Sequence, residues 1–134
     1  MTDTPDIRKT ILVVDDDPDF RDQMRTHLEA EGYAVVPAAT QREAEDLIAK
    51  GMPDLAIVDL MMENMDSGFA LCYHIKKRDP ARPVILVTGV AHETGLEFDA
   101  ATDEERRWIK ADVSLDKPVR FEQLMREVHR LLKD

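Results

Sequence analysis

Asp54-Leu55-Ala56-Ile57-Val58-Asp59 is a short apolar run closed by a carboxylate and preceded by Gly51 and Pro53. Runs of this length, bounded by turn residues, read as strands buried on both faces, the habit of parallel sheets. The final carboxylate then stands at the carboxyl edge of the sheet, where open α/β folds place their sites. Asp59 is therefore the residue expected to do the chemistry.

The rest of the chain repeats the pattern. Ile11-Leu12-Val13-Val14 forms a second buried run ending in Asp15 and Asp16. Asp17-Pro18 then reads as a helix cap followed by proline at the first helical position. Phe20, Met24 and Leu28 repeat at helical spacing until Gly32. Tyr33 to Val36 reads as a strand. Thr40-Gln41-Arg42-Glu43 is a capping box opening a helix with Ala44, Leu47 and Ile48 inward, ended by Gly51. After Asp59 a methionine-rich loop leads to Asp66-Ser67-Gly68 and a helix with Phe69, Cys72 and Ile75 inward, finished by Asp79-Pro80. Pro83 to Thr88, holding Val84-Ile85-Leu86-Val87, is a fourth strand. Residues 89–107 read as a long loop, with a second capping box at Thr102–Glu105 opening a short helix through Trp108 and Ile109. Ala111 to Leu115 is a weak fifth strand, and Phe121, Leu124, Val128 and Leu131 mark a last amphipathic helix. Such alternation predicts an α/β fold: a doubly wound, five-stranded parallel sheet with helices on both faces and right-handed crossovers. Residues 1–8 are expected to be a frayed tail, and 9–134 a single domain.

Composition narrows the function. Apolar residues make up 43% and charged residues 34% of the 134, as in a soluble globular domain. No apolar run is long enough to span a membrane, and the first ten residues lack the apolar core of a signal peptide, so a cytoplasmic setting is expected. A net charge of −10 argues against nucleic acid as a direct partner. The single cysteine excludes an internal disulfide and a cysteine-based zinc site; within its helical pattern, Cys72 reads as a buried, inert thiol. His27, His74, His92 and His129 show no ligand spacing.

In a parallel sheet the carboxyl ends of the strands converge, which here gathers Asp15, Asp16, Asp59 and Thr88, joined by Lys117 from the loop after the fifth strand. Clustered carboxylates repel one another unless a cation neutralises them. Oxygen ligands with few carboxylates suit Mg²⁺. A calcium loop starting at Asp15 fails, because Phe20 stands where glycine is needed and Thr26 where glutamate is needed. A carboxylate facing a metal, a lysine and a hydroxyl suits phosphoryl transfer, with Asp59 as the nucleophile.

Val13-Val14-Asp15-Asp16, the strand ending in Asp59-Leu60, Val87-Thr88-Gly89 and Lys117-Pro118 together resemble the receiver domain of two-component response regulators. The resemblance covers about residues 9–133. It implies that Asp59 is the phosphoacceptor, Asp16 a direct Mg²⁺ ligand, Asp15 a ligand acting through water, and Met61 a ligand through its backbone carbonyl. Thr88 and Lys117 would be the pair that senses the phosphoryl group. It further implies the strand order 2-1-3-4-5 of flavodoxin-like folds, and a phosphohistidine donor on a sensor histidine kinase or phosphotransfer protein. The expectation is a stand-alone receiver acting by protein–protein contact and turning over no substrate. The rivals are a phosphorylation-independent, degenerate receiver and an aspartyl-nucleophile phosphohydrolase.

Four features depart from the family pattern. Glu63 replaces a common proline, in a loop one residue longer than usual. Ser114 stands where the family carries an aromatic residue, so the usual relay from Thr88 is missing or rerouted. The Thr88–Lys117 interval is long, which predicts a remodelled partner surface within 90–110. Met61 and Val90 flank the expected path of attacking water with apolar groups, which predicts slow loss of the phosphoryl group.

Overall fold

The computed structural model describes residues 8–59, 67–88, 112–116 and 119–132. Over these the chain runs β1 (Thr10–Val14), α1 (Pro18–Ala30), β2 (Ala34–Ala38), α2 (Gln41–Lys50), β3 (Leu55–Asp59), α3 (Ser67–Arg78), β4 (Val84–Thr88), β5 (Val113–Asp116) and a last helix, here α4 (Phe121–Leu132). The five strands form one sheet in the order β2-β1-β3-β4-β5, every pairing parallel.

Alternation along the strands sorts their side chains onto two faces. Ile11, Val13, Ile57, Ile85 and Val87 pack with Met24 and Leu28 of α1 and with Leu124, Val128 and Leu132 of α4. Leu12, Val14, Ala56, Val58, Val84 and Leu86 pack instead with Ala44 and Ile48 of α2 and Leu71, Cys72 and Ile75 of α3. Every residue of β3 is buried, as a strand covered on both faces must be.

The ends of the helices follow local chemistry. The Asp17 carboxylate caps α1 by accepting from the Asp19 backbone N–H at 3.0 Å, with Pro18 in the first turn. At the other end, Gly32 N–H donates to Glu29 and Tyr33 N–H to Leu28, and Gly32 takes the left-handed φ of 97° that this closure requires. Thr40 caps α2 by accepting from Glu43 N–H, and the Glu43 carboxylate reaches back to the Ala39 N–H rather than to Thr40 itself.

Two strands are displaced from their expected bounds. β2 runs Ala34–Ala38, not Tyr33 to Val36, because Tyr33 N–H is taken up in closing α1 and Pro37 is tolerated on an edge strand. β5 runs Val113–Asp116, not Ala111 to Leu115, because Asp112 uses its side chain and backbone to hold Val84 just before the ladder begins. Ser114 is exposed on β5 opposite Leu86. The expected tail (but for Arg8), the 60–66 loop with Glu63, the segment 89–111 with Val90 and Trp108, and the proposed partner surface there lie outside the described residues. Among the described residues, no helix is long and apolar enough to cross a membrane.

Candidate functional site

The order β2-β1-β3 places β1 directly beside β3, with Val14 paired to Val58. One residue further along each strand stand Asp15 and Asp59. Neighbouring strands lie about 4.8 Å apart, so the two carboxylates are adjacent as a consequence of register. β1 then feeds a helix on one face and β3 a helix on the other, which opens a crevice at this edge.

Asp15, Asp16 and Asp59 each offer a carboxylate oxygen within 4.8 Å of the others. Asp15 is fully buried and Asp59 is 4% exposed, whereas Asp16 is exposed at the mouth. Asp15 is firmly held. Its N–H donates to Ala38 O at 3.1 Å, its Oδ1 accepts from Asp17 N–H at 2.9 Å, and its carbonyl accepts from Arg21 Nη1 at 2.7 Å. Arg21 was not singled out among the site residues from sequence. The available signal was its place in the first turn of α1, from which a helical side chain leans back toward the preceding loop.

The cluster fits a hard divalent cation. Oxygens bound to one Mg²⁺ at about 2.1 Å lie no more than roughly 4.2 Å apart, so a set within 4.8 Å needs little adjustment, and a water can bridge the most buried member. The donors are oxygen only, which matches Mg²⁺ rather than zinc or copper.

The remaining expected site residues are placed in part. Thr88 ends β4 one residue after Val87, the partner of Asp59, so its backbone lies at the same edge; its side chain lies outside what is described. Met61 and Lys117 lie outside the described residues. Cys72 is buried between α3 and the sheet, away from this edge.

Comparison with known proteins follows the same outline. The family model of the response regulator receiver domain matches residues 11–129. The response regulator MprA of Mycolicibacterium vanbaalenii is 36% identical over 123 residues, which cover 92% of this chain and 50% of that protein. The chain thus spans about half the length of the curated relatives it matches. A CheY-like receiver domain protein of Methanospirillum hungatei superposes with a TM-score of 0.78 at 31% identity, covering 94% of each chain. The response regulator protein TrrA of Thermotoga maritima, crystallised in complex with Mg²⁺-BeF, gives a TM-score of 0.75 at 31% identity, covering 92% of this chain and 98% of that one.

Proposed function

The chain belongs to the response regulator receiver domain family of two-component systems, and from that premise we propose that it accepts a phosphoryl group on Asp59. The observation that carries the reading is the buried Asp59 carboxylate brought together with Asp15 and Asp16 at the carboxyl edge of the sheet.

An Asp59 oxygen attacks the phosphorus of a phosphohistidine in line; the new O–P bond forms as the P–N bond breaks, and the imidazole nitrogen keeps the electron pair and takes a proton. Asp16 and Asp59, with Asp15 through water and the Met61 carbonyl, would hold Mg²⁺, which when bound would supply positive charge to offset the phosphoryl oxygens. Lys117 pairs with one phosphoryl oxygen and Thr88 donates a hydrogen bond to another. Burial of Asp59 limits the approach of bulk water. Hydrolysis of the acyl phosphate returns the carboxylate, so the domain turns over its own phosphoryl group only.

The donor is a sensor histidine kinase or phosphotransfer protein, in a cytoplasmic setting, and residues 9–134 make up the receiver. Phosphorylation acts by favouring one of two conformations that a partner protein distinguishes. The test is incubation with acetyl phosphate and Mg²⁺, read by intact mass. The expected result is one added phosphoryl group that requires Mg²⁺ and is lost in Asp59→Ala. An unmodified parent protein would point to the degenerate receiver instead, and catalytic clearance of added phosphomonoester to a hydrolase.

A further inference from the structure

Arg21 touches the site loop twice, and the two contacts bracket Asp16. Its backbone N–H donates to the Asp17 carbonyl at 3.1 Å, the first hydrogen bond of α1. Its guanidinium turns back along the helix, and Nη1 donates to the Asp15 carbonyl at 2.7 Å. One residue thus fixes the carbonyl on each side of Asp16. Asp16 is exposed, and among the described residues nothing holds its side chain. The Asp15 side chain, by contrast, is locked through Asp17 N–H at 2.9 Å. Of the three carboxylates Asp16 is the exposed one, and the backbone around it is the stretch that Arg21 ties down.

We propose that Arg21 is a positioning residue for the divalent cation, its guanidinium acting through the Asp15 carbonyl to orient Asp16. The proposal rests on the metal-assisted reading of the site given above. Two effects of Arg21 oppose each other. Its positive charge near three carboxylates disfavours a second cation, so on charge alone its removal tightens metal binding. Its hydrogen bond preorganises the loop, so on geometry its removal weakens metal binding. A half-buried guanidinium is screened by solvent, whereas a hydrogen bond at 2.7 Å to the loop itself is not, and geometry wins.

The test is Mn²⁺ binding to the full, unphosphorylated chain, followed by electron paramagnetic resonance, alongside thermal melting without metal. Arg21→Gln is expected to weaken Mn²⁺ binding by on the order of tenfold, the usual scale for loss of a group that orients a ligand. Arg21→Lys, which keeps the charge and can still donate one hydrogen bond to Asp15 O, is expected to recover part of that loss. Arg25→Gln removes the same charge from the exposed surface of α1, where Arg25 pairs with Glu29, and is expected to leave Mn²⁺ affinity unchanged. The proposal is overturned if Arg21→Gln binds Mn²⁺ as tightly as the parent or more so. It is equally overturned if the loss in Arg21→Gln and Arg21→Lys merely follows a falling melting temperature. A parent chain without saturable Mn²⁺ binding overturns the metal-assisted reading itself, and this proposal with it.

Discussion

The Lys76 ammonium lies 2.8 Å from the Asp112 carboxylate and joins the last turn of α3 to the residue before β5, across 36 positions of sequence. The same carboxylate oxygen accepts from Val84 N–H at 2.8 Å, while Asp112 N–H donates to the Val84 carbonyl at 2.9 Å. Asp112 thereby sets β5 in register on β4, at the edge of the sheet opposite Asp59. The pair is asymmetric: the Lys76 side chain is 9% exposed and that of Asp112 is 35% exposed.

That asymmetry predicts unequal costs. Asp112→Ala leaves a buried ammonium with only the Pro80 carbonyl, 3.4 Å away, and strands the Val84 N–H. A loss of about 2–3 kcal/mol is expected, at the lower end for a broken buried pair because Asp112 is partly solvated. Lys76→Met removes the charge and keeps the apolar stem, so its cost is expected to be about 1 kcal/mol or less. Urea unfolding of both variants checks the ranking, and a Lys76→Met variant as unstable as Asp112→Ala contradicts it.

The sheet was legible because its central strands announce themselves. Ile11–Val14, Leu55–Val58 and Val84–Val87 are uninterrupted apolar runs, and only a strand covered on both faces has use for such a run. Asp15, Asp16 and Asp59 were legible for a related reason, since parallel strands bring their ends together whatever the intervening helices do. What could not be read were contacts made across the fold. Arg21 looks like any basic residue on a helix surface until its reach to the Asp15 carbonyl is known. Lys76 and Asp112 lie too far apart in sequence to suggest each other, and without that contact the start of β5 had no marker. β2 runs through Pro37 to Ala38, two residues past the expected end at Val36. Proline does break a ladder, but β2 is an edge strand, with β1 as its one partner in the sheet.

Cys72 gives a prediction in pH. Burial pushes its thiol from 9.0 up to about 12; nearby Lys76 pulls it down and Asp112 pushes it up, but burial dominates. The folded chain thus holds the thiol proton where the unfolded chain releases it. The stability linked to this proton is fully present below about pH 9 and falls as pH rises toward 12. Measured by urea unfolding from pH 7 to 10.5, the advantage of the parent over Cys72→Ala is expected to hold steady and then shrink above pH 9. A parallel measurement with a thiol-reactive dye at pH 8 is expected to show modification only as the chain unfolds. Rapid labelling of the folded protein contradicts the assignment of Cys72 as an inert core residue.

Repulsion among Asp15, Asp16 and Asp59 makes the stability of the site depend on its cation. Without metal, three negative groups within 4.8 Å raise the energy of the folded state. Asp16 is exposed, so its share of that repulsion is screened to about 1 kcal/mol or less. Asp16→Asn keeps the shape and removes the charge, and in EDTA it is expected to melt above the parent. Mg²⁺ at ten times its dissociation constant stabilises the parent by about 1.4 kcal/mol, and the variant by much less because it lacks the charged ligand. The two melting temperatures are therefore expected to cross as Mg²⁺ is added. An Asp16→Asn chain that melts below the parent in EDTA shows that the carboxylates are not in repulsive contact, and the cation then loses its physical reason to bind.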